Sequence, residues 1–242
     1  MDKLLTVVIP SYNVEKFLNQ TLDSFICDEA VMKKFEVIVV DDGSKDNTAK
    51  IGKEYADKYP DTFRVISKEN GGHGSTINCG IRNAVGKYFK VVDGDDWVNT
   101  ADFVKLVEDL EKTESEYVFT NYYEYYDDVN RQKAVDFPQF KDGTEYDFAD
   151  VANKVYIPMH ALVIKTSVLK DNNIVIDEKC FYVDVEYVMF PVPFVNKVTF
   201  FDLHVYMYRL ALSTQSVSIL GFQKHINDHL RVTFHMFDFY RD

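Results

Sequence analysis

The sequence is short of cysteine, of basic residues and of long hydrophobic runs, and each shortage excludes a class of protein. Its 242 residues include three cysteines, Cys27, Cys79 and Cys180, whose odd number and wide spacing fit neither a disulfide framework nor a metal site. Lys and Arg total 27 against 39 Asp and Glu, a net charge of -12, which argues against a nucleic-acid or anionic-membrane partner. No run approaches the roughly 18 apolar residues of a membrane-spanning helix.

The same features predict where the protein works. Reduced thiols fit a cytoplasmic protein, and no signal-peptide pattern precedes the first strand-like run, Leu4–Ile9. The helical pattern that begins at Ile219 continues to Asp242 without a cap or breaker, which predicts a piece of a longer protein. Association with the inner face of a membrane would then come from a region outside this chain.

Short apolar runs alternate with amphipathic segments over the first hundred residues. They predict strands at Leu4–Pro10, Phe35–Val40, Phe63–Ser67 and Tyr88–Val92, and helices at Val14–Cys27, Asn47–Tyr59 and Ser75–Val85. Because the strands are apolar throughout rather than at alternate positions, both of their faces should be buried, as in a mostly parallel sheet flanked by helices. The sequence therefore predicts an α/β, Rossmann-like fold.

The second half is richer in tyrosine and less regular. It predicts a helix over Ala101–Lys112, a strand over Glu116–Tyr126, a polar loop over Phe137–Asp147, and extended segments at Val155–Lys165, Val198–Leu203 and Val205–Tyr208. No Gly/Ser-rich or Pro-rich linker divides the chain. We therefore expect one domain over 1–242, with halves 1–98 and 99–218 and a C-terminal helix over 219–242.

Three carboxylates, Asp93, Asp95 and Asp96, follow the fourth predicted strand within four positions. Like charges this close repel, so a bound cation is expected to neutralise them. Oxygen ligands with no His or Cys nearby predict a hard divalent ion, Mg²⁺ or Mn²⁺, which commonly completes its shell with substrate phosphates. The alternative is a polar turn, since Asp and Gly are ordinary turn residues. Polar motifs also end the first and second strands, where ligands of parallel sheets bind, and this favours the metal site.

Four polar motifs occur in order along the first half: Pro10–Asn13, Asp41–Ser44, Asn70–Gly72 and Asp93–Asp96. In this order and spacing they resemble the motifs of the family 2 glycosyltransferases. The resemblance implies a GT-A fold, with a nucleotide-sugar-binding half over 1–98 and an acceptor-binding half, with a smaller sheet, over 99–218. It implies an inverting hexosyltransferase of polysaccharide biosynthesis that moves a sugar from a nucleoside-diphosphate donor, a UDP-sugar, to a hydroxyl of a glycan or lipid-linked acceptor with the help of Mg²⁺ or Mn²⁺.

The resemblance also assigns residues to the donor. The loop Pro10–Glu15 would approach the nucleotide, with Tyr12 near the base, and Asp41 or Asp42 would hydrogen-bond the uracil or ribose while the other shapes the turn. The full set of implied donor contacts is Pro10, Tyr12, Asn13, Glu15, Asp41, Asp42, Gly71, Gly72, Asp93, Gly94, Asp95 and Arg209.

In the acid cluster, the resemblance places Asp93 on the ribose side and Asp95 on the metal that neutralises the departing diphosphate. Asp93 is a further metal ligand in this interpretation. Asp96 either supports this pair or caps the helix that follows. Arg209 either contacts the diphosphate or forms a structural ion pair.

The loop Asn70–Ser75 departs from the family pattern, because many relatives carry an Arg shortly after the glycines and here the next Arg is Arg82. Backbone amides at a glycine-rich helix start can bind phosphate without such a side chain. His73 is either a donor contact or an exposed loop side chain. His160, with Ser213 and Gln215 further on, lies where relatives close over the donor and acceptor.

Inversion by single displacement needs a base that takes the proton of the acceptor hydroxyl. The resemblance places it in the stretch Phe181–Glu186, where Val183 occupies the position of a common first acid and Asp184 that of the base. Apolar neighbours would raise the pKa of Asp184, although this residue could also be a helix N-cap. Glu186 is the fallback base, with a structural role as its alternative.

The tyrosines of the second half, Tyr122, Tyr123, Tyr125 and Tyr126, suit sugar stacking, core packing or a homodimer surface. Two other functions stay open beside the transferase. A nucleotidyltransferase would share the fold but prefers a Gly-rich loop with Arg and Lys after the first strand, which Pro10–Lys16 does not provide. A nucleotide-sugar-binding module without activity would explain the missing Arg and the apolar Val183.

Overall fold

A computed structural model describes residues 3–210 and 219–241 of the chain. In these residues the strands are β1 (Leu5–Ser11), β2 (Phe35–Asp41), β3 (Phe63–Ser67), β4 (Tyr88–Val91), β5 (Trp97–Val98), β6 (Tyr117–Tyr126), β7 (Arg131–Val135), β8 (Thr144–Asp147), β9 (Leu162–Lys165) and β10 (Lys197–Leu210). The helices are α1 (Leu18–Asp23), α2 (Glu29–Met32), α3 (Thr48–Lys58), α4 (His73–Asn83), α5 (Thr100–Asp109), α6 (Phe148–Val151), α7 (Thr166–Asp171), α8 (Asp184–Met189), α9 (Ile219–Lys224) and α10 (Ile226–Arg241).

All ten of these strands belong to one sheet, whose order is β3-β2-β1-β4-β9-β6-β10-β5, with β7 paired to β6 and β8 to β10. Strands β3, β2, β1 and β4 are parallel. Strand β9 is antiparallel to both β4 and β6, and β10 runs parallel to β6. The α/β prediction is confirmed, although the strands expected in a smaller second sheet extend the first one instead.

Helices cover both faces of the parallel region, as the uninterrupted apolar strands predict. Neighbouring residues of β1 point to opposite faces, so Val7 packs with α1 and α5 while Val8 packs with α4 and α8. Both residues are fully buried. Burial of each side chain of a strand in this way is worth roughly 1.5–3 kcal/mol, which explains why the strands of this region carry no polar alternation.

The helix predicted over Val14–Cys27 is shorter than expected and occupies only Leu18–Asp23. The first residues of the predicted segment are not helical, because their backbone amides donate hydrogen bonds to side chains of the neighbouring loop. Val14 N donates to Thr48 Oγ1 (2.9 Å), and Glu15 N donates to Asp46 Oδ2 (3.1 Å). These bonds draw the loop after β1 towards the loop after β2.

Predictions for the second half are less accurate. The polar loop predicted over Phe137–Asp147 contains β8, and the extended segment Val155–Lys165 is a strand only in β9. The two segments from Val198 to Tyr208 are one strand, β10, whose pairing with β6 shifts register near His204. The C-terminal helix is divided into α9 and α10 around His225. None of the helices within residues 3–210 and 219–241 combines the length and apolar character needed to cross a membrane.

Candidate active site

A cleft of about 360 Å³ opens where β1 and β2 end and α4 begins. The carboxyl ends of parallel strands are the usual place for a ligand in such a sheet. The structure therefore gathers three separate motifs of the first half around one cavity and adds a segment from about 100 residues later. The lining residues are Pro10, Ser11, Tyr12, Asp42, Asn70, Gly72, His73, Thr76, Lys179, Cys180 and Phe181.

The acid cluster lies beside this cleft and is connected to it by a histidine. His73 Nε2 lies 2.8 Å from Asp93 Oδ1. Burial alone would lower the pKa of His73, but the charge of Asp93, the hydrogen bond to it, and the charges of Asp184 and Asp95 outweigh that effect and raise it. His73 is thus a partner of the acids and lines the cleft, so its interpretation as an exposed loop side chain is wrong.

Asp96 is buried beneath the cluster and fixes it to β10. Its Oδ2 accepts a hydrogen bond from the Tyr206 hydroxyl (2.5 Å), and its Oδ1 accepts one from Arg209 N (2.7 Å). The cap of the next helix is Asn99, whose Oδ1 accepts bonds from Ala101 N and Asp102 N. The helix-capping alternative for Asp96 is therefore wrong, and this residue supports the cluster.

Asp95 has the character of a carboxylate in need of a cation. Burial, together with the nearby charge of Asp93, raises the pKa of Asp95 to about 6. Burial would also raise the pKa of Asp93, but the charge of His73 and its hydrogen bond lower it overall. No side chain of residues 3–210 or 219–241 donates a hydrogen bond to the Asp95 carboxylate. A divalent ion at Asp93 and Asp95 would relieve this repulsion, and these oxygen donors fit Mg²⁺ or Mn²⁺.

Contrary to the sequence-based expectation, histidines do approach the acids. Ligand atoms of Asp93, Asp96 and His160 lie within 4.8 Å of one another. Both oxygens of Asp96 already accept hydrogen bonds, so Asp95 is the freer second ligand. His160 stacks on Tyr208 with ring centroids 3.9 Å apart, and burial lowers its pKa to about 4. His160 is therefore a neutral wall of the site at pH 7.

The loop after β1 divides into residues that face the cleft and residues that bind the neighbouring loop. Tyr12 lines the cleft and is 50% exposed. Asn13, at a φ of 54°, accepts a hydrogen bond from Lys45 N (2.8 Å), and Glu15 accepts one from Asn47 N (2.9 Å). The structure thus places the side chains of Asn13 and Glu15 between the two loops, where they position Tyr12.

Asp41 and Asp42 have separate tasks that the sequence left open. Asp41 Oδ1 accepts a hydrogen bond from Ser44 N (3.0 Å) and so shapes the turn. Asp42 lines the cleft, and its two oxygens accept bonds from Gly71 N (2.9 Å) and Gly72 N (2.8 Å). Asp42 therefore sets the position of the glycine loop as well as facing the cavity.

Gly94 allows the acid loop to approach the loop after β1. Gly94 N donates to Pro10 O over 3.1 Å. A Cβ at this position would lie 2.9 Å from Pro10 O and 3.0 Å from Val14 Cγ2, closer than unstrained packing allows. Glycine is therefore required here by backbone packing.

Arg209 lies behind the acid loop, away from the cleft lining. Its Nε donates to Asp95 O (2.8 Å), its Nη2 donates to Gln20 Oε1 (2.6 Å), and it forms an ion pair with Asp127. The guanidinium also sits 4.6 Å from the centre of the Trp97 ring. With its side chain 6% exposed, Arg209 fits the structural alternative, and the diphosphate contact expected of it is not supported.

Asp184 is the first residue of α8 and lies near the acid cluster, since its charge acts on His73 together with those of Asp93 and Asp95. Burial raises its pKa, with a smaller opposing effect of His73. The N-cap of α8 is Val183, so the capping alternative for Asp184 is wrong. Within residues 3–210 and 219–241, no side chain donates a hydrogen bond to the Asp184 carboxylate.

Glu186, the fallback base, is fully buried. It accepts a hydrogen bond from Asp177 N (2.8 Å) and pairs with His235 of α10 (3.0 Å), so its role is structural. Two of the tyrosines on β6 pack within the sheet, Tyr123 on His204 and Tyr125 against Trp97. Ser213 and Gln215 lie outside the described residues.

Lys179 and Cys180, which form a wall of the cleft together with Phe181, were not predicted. No motif marks these two residues in the sequence, and only the fold brings them to the glycine loop. The position of His73 could have been predicted from the sequence. A His that directly follows two glycines at the start of a helix lies at the helix N-terminus, where a phosphate would bind.

Comparison with known proteins agrees with this geometry. The sequence model for Glycosyl transferase family 2 matches residues 6–172, and the chain belongs to this family. Over 123 residues it is 37% identical to the uncharacterized glycosyltransferase EpsJ of Bacillus subtilis (strain 168), a match that covers 51% of this chain and 35% of EpsJ.

Solved structures show the same fold. Staphylococcus aureus TarS 1–349, crystallised with UDP-GlcNAc, aligns with a TM-score of 0.74 at 23% identity, over 89% of this chain and 61% of that one. The mannosyltransferase PcManGT of Pyrobaculum calidifontis, in complex with GDP-Man and Mn²⁺, aligns with a TM-score of 0.67 at 17% identity, over 97% of this chain and 65% of that one. The chain thus spans only part of each of these relatives.

Proposed function

We propose that the protein is an inverting, metal-dependent glycosyltransferase that moves a sugar from a UDP-sugar to a hydroxyl of a glycan or lipid-linked acceptor. The observation that carries the proposal is the meeting of two kinds of carboxylate near one cleft. Asp93 and Asp95 form a pair that needs a cation, while Asp184 is a carboxylate without a side-chain partner in the described residues. Complexes of TarS with UDP-GlcNAc and of PcManGT with GDP-Man and Mn²⁺ support such a donor and ion.

The donor would lie along the cleft from Tyr12 to His73. Tyr12 is exposed enough to stack on a base, and Asp42 offers an acceptor beside it. The amides at the start of α4, next to Gly72, would face the phosphates. Asp93 and Asp95 would hold the divalent ion, which when bound supplies positive charge to the departing diphosphate. His73 fixes the orientation of Asp93 through its hydrogen bond.

Asp184 would act as the base. Its carboxylate would take the proton of the acceptor hydroxyl while that oxygen attacks the anomeric carbon from the face opposite the diphosphate. The bond between the anomeric carbon and the phosphate oxygen breaks in the same step, so the configuration inverts. A carboxylate whose pKa is raised by burial is better matched to this task than a solvated one.

The test is the Asp184→Asn variant, with Asp150→Asn, at an exposed position of α6, as the matched control. Sugar transfer should fall by roughly 100- to 10,000-fold, the usual effect of losing a general base, while UDP affinity stays within about twofold of wild type because Asp184 does not bind the nucleotide. The control should transfer at the wild-type rate. Wild-type transfer by Asp184→Asn would show that the base is elsewhere.

A nucleotide-sugar-binding module without activity is the second candidate. It is favoured by Val183, which is buried at the N-cap of α8 where relatives carry an acid. Calorimetry with UDP and Mn²⁺, followed by an assay for donor hydrolysis and transfer, separates the two candidates. Binding with neither reaction, across a panel of UDP-sugars and acceptors, would favour the module.

A further inference from the structure

A clamped segment, residues 176–181, forms one wall of the cleft. The buried Asn78 of α4 donates to Ile176 O (2.8 Å) and accepts from Ile176 N (2.9 Å). Asp177 N donates to Glu186 of α8 (2.8 Å). The segment is therefore tied both to the helix that follows the glycine loop and to the helix that begins with Asp184.

Lys179 is the residue by which this segment meets the glycine loop. Lys179 N donates to Gly71 O over 2.6 Å, and a Cβ at Gly72 would lie 3.2 Å from Lys179 N. The residue has a φ of 53°, a left-handed conformation that costs a non-glycine residue free energy and persists where the surroundings hold it. The backbone is thus held in a strained position that keeps Lys179 at the cleft.

Three other basic side chains near the cleft are engaged, and His73, the basic residue of the glycine loop, is paired with Asp93. Lys68 Nζ binds Asp42 (2.6 Å), Lys90 Nζ donates to His160 O (2.8 Å), and the Arg209 guanidinium binds Asp127 and Gln20. Lys179 is exposed, and its ammonium forms no ion pair with any residue of 3–210 or 219–241. It is the lysine that lines the cavity.

We propose that Lys179 binds the diphosphate of the donor and supplies the Lys or Arg side chain that the glycine loop lacks. The inference rests on the proposed function, since it needs a nucleoside diphosphate in this cleft. The loop Asn70–Ser75 contains no Arg, so its amides are the donors that it offers to phosphate. An ammonium from the opposite wall adds a charge-assisted hydrogen bond. The ammonium stabilises the departing diphosphate, whose negative charge grows as the sugar leaves.

The experiment compares Lys179→Gln and Lys179→Arg with wild type by calorimetry with UDP and Mn²⁺. Both replacements keep a Cβ and a long side chain, so neither relieves the strain at φ 53° as Gly would. Lys179→Gln should weaken UDP binding roughly 10- to 100-fold, as expected for a lost hydrogen bond to a charged group, and should make the affinity less sensitive to salt. Lys179→Arg should stay within a few-fold of wild type.

Lys141→Gln, on the exposed turn before β8, is the matched control for the loss of one positive charge. It should bind UDP as wild type does. Lys179→Gln with wild-type UDP affinity and salt dependence would overturn the proposal for Lys179 alone. Equal weakening in Lys179→Gln and Lys179→Arg, with a lower unfolding temperature in both, would show a structural role and also overturn it. A wild-type protein that neither binds UDP with Mn²⁺ nor transfers sugar would overturn the proposed function together with this inference.

Discussion

The sheet consists of two regions that contribute to the site in different ways. Strands β1, β2, β3 and β4 are parallel, with β3 at the edge of the sheet. The short motifs that follow these strands lie in or beside the cleft. The region around β6, β9 and β10 has mixed strand directions, and it holds the same site through single long-range contacts. Tyr206, for example, bonds to Asp96 from 110 residues away. The first region thus provides the strand-end groups of the site, and contacts from β10 keep the acid cluster in place.

This division has a consequence for the acids of the cluster. Asp95, which has no side-chain partner in the described residues, lies in the loop beside the cleft, whereas Asp96 is bonded to β10 through Tyr206 and Arg209. Substitutions in the first group should change ligand binding with little effect on stability. Substitutions in the second group should change stability first. The following predictions test that contrast.

The largest effect is expected at the metal site. Asp95→Asn removes a charged ligand of the ion and should reduce Mn²⁺-dependent UDP affinity by more than about 100-fold. Loss of a residue that only hydrogen-bonds a metal ligand typically reduces metal affinity by ~10- to 100-fold, and loss of the ligand itself should cost more. The unfolding temperature without metal should stay the same or rise, because a buried repulsive charge is removed. Calorimetry and thermal unfolding measure the two quantities. Retained metal dependence would place the ion elsewhere.

Gly94→Ala tests the packing between the acid loop and the loop after β1. The added Cβ would meet the Pro10 carbonyl at 2.9 Å, so the free energy of unfolding should fall by about 2–3 kcal/mol. Gly143→Ala is the comparison, since its φ of 64° disfavours Ala but no atom lies within 4 Å of the added Cβ. Its loss should be about 1 kcal/mol. Equal losses in denaturant titrations would argue against the close approach at Gly94.

Tyr206→Phe removes the hydroxyl that donates to Asp96. The buried carboxylate then has one acceptor oxygen without this donor, and stability should fall by about 1–2 kcal/mol. Tyr240→Phe, on an exposed residue of α10, is the control. UDP affinity should change less than threefold in Tyr206→Phe. A large loss of affinity without a loss of stability would mean that Tyr206 acts in the cleft itself.

The smallest effect concerns pH. Because burial and the charge of Asp93 raise the pKa of Asp95 to about 6, this carboxylate is ionised above that pH and protonated below it. A divalent ion must displace the proton at lower pH, so Mn²⁺ affinity should fall about tenfold between pH 7 and pH 5. It should change little between pH 7 and pH 8. A Mn²⁺ affinity that is the same at pH 5 and pH 7 would contradict the raised pKa.

The sequence predicted the first region well because its signals are local. The strand at Phe63–Ser67 was predicted with its observed bounds, since its apolar residues lie between polar segments that favour turns. Strand β7 was missed because it is a polar, exposed strand whose residues give no hydrophobic pattern.

The roles of individual site residues were harder to predict because their partners are distant in sequence. Asp41 and Asp42 look alike until the amides of Gly71 and Gly72, some 29 and 30 residues later, are seen to bond to Asp42. Arg209 could be assigned only from distant partners, such as Gln20, which is 189 residues away. Local patterns specify which strand ends carry polar groups, but tertiary packing decides which groups remain free for a ligand.

The central claim is that the acid pair serves the leaving diphosphate and Asp184 serves the proton. One experiment tests this claim directly. It measures sugar transfer and UDP affinity in wild type, Asp95→Asn and Asp184→Asn, with Mn²⁺ and the same UDP-sugar. We predict that Asp95→Asn loses both transfer and Mn²⁺-dependent UDP binding, while Asp184→Asn loses transfer and binds UDP as wild type does. Equal loss of UDP affinity in the two variants, or transfer by Asp184→Asn at the wild-type rate, would contradict the account.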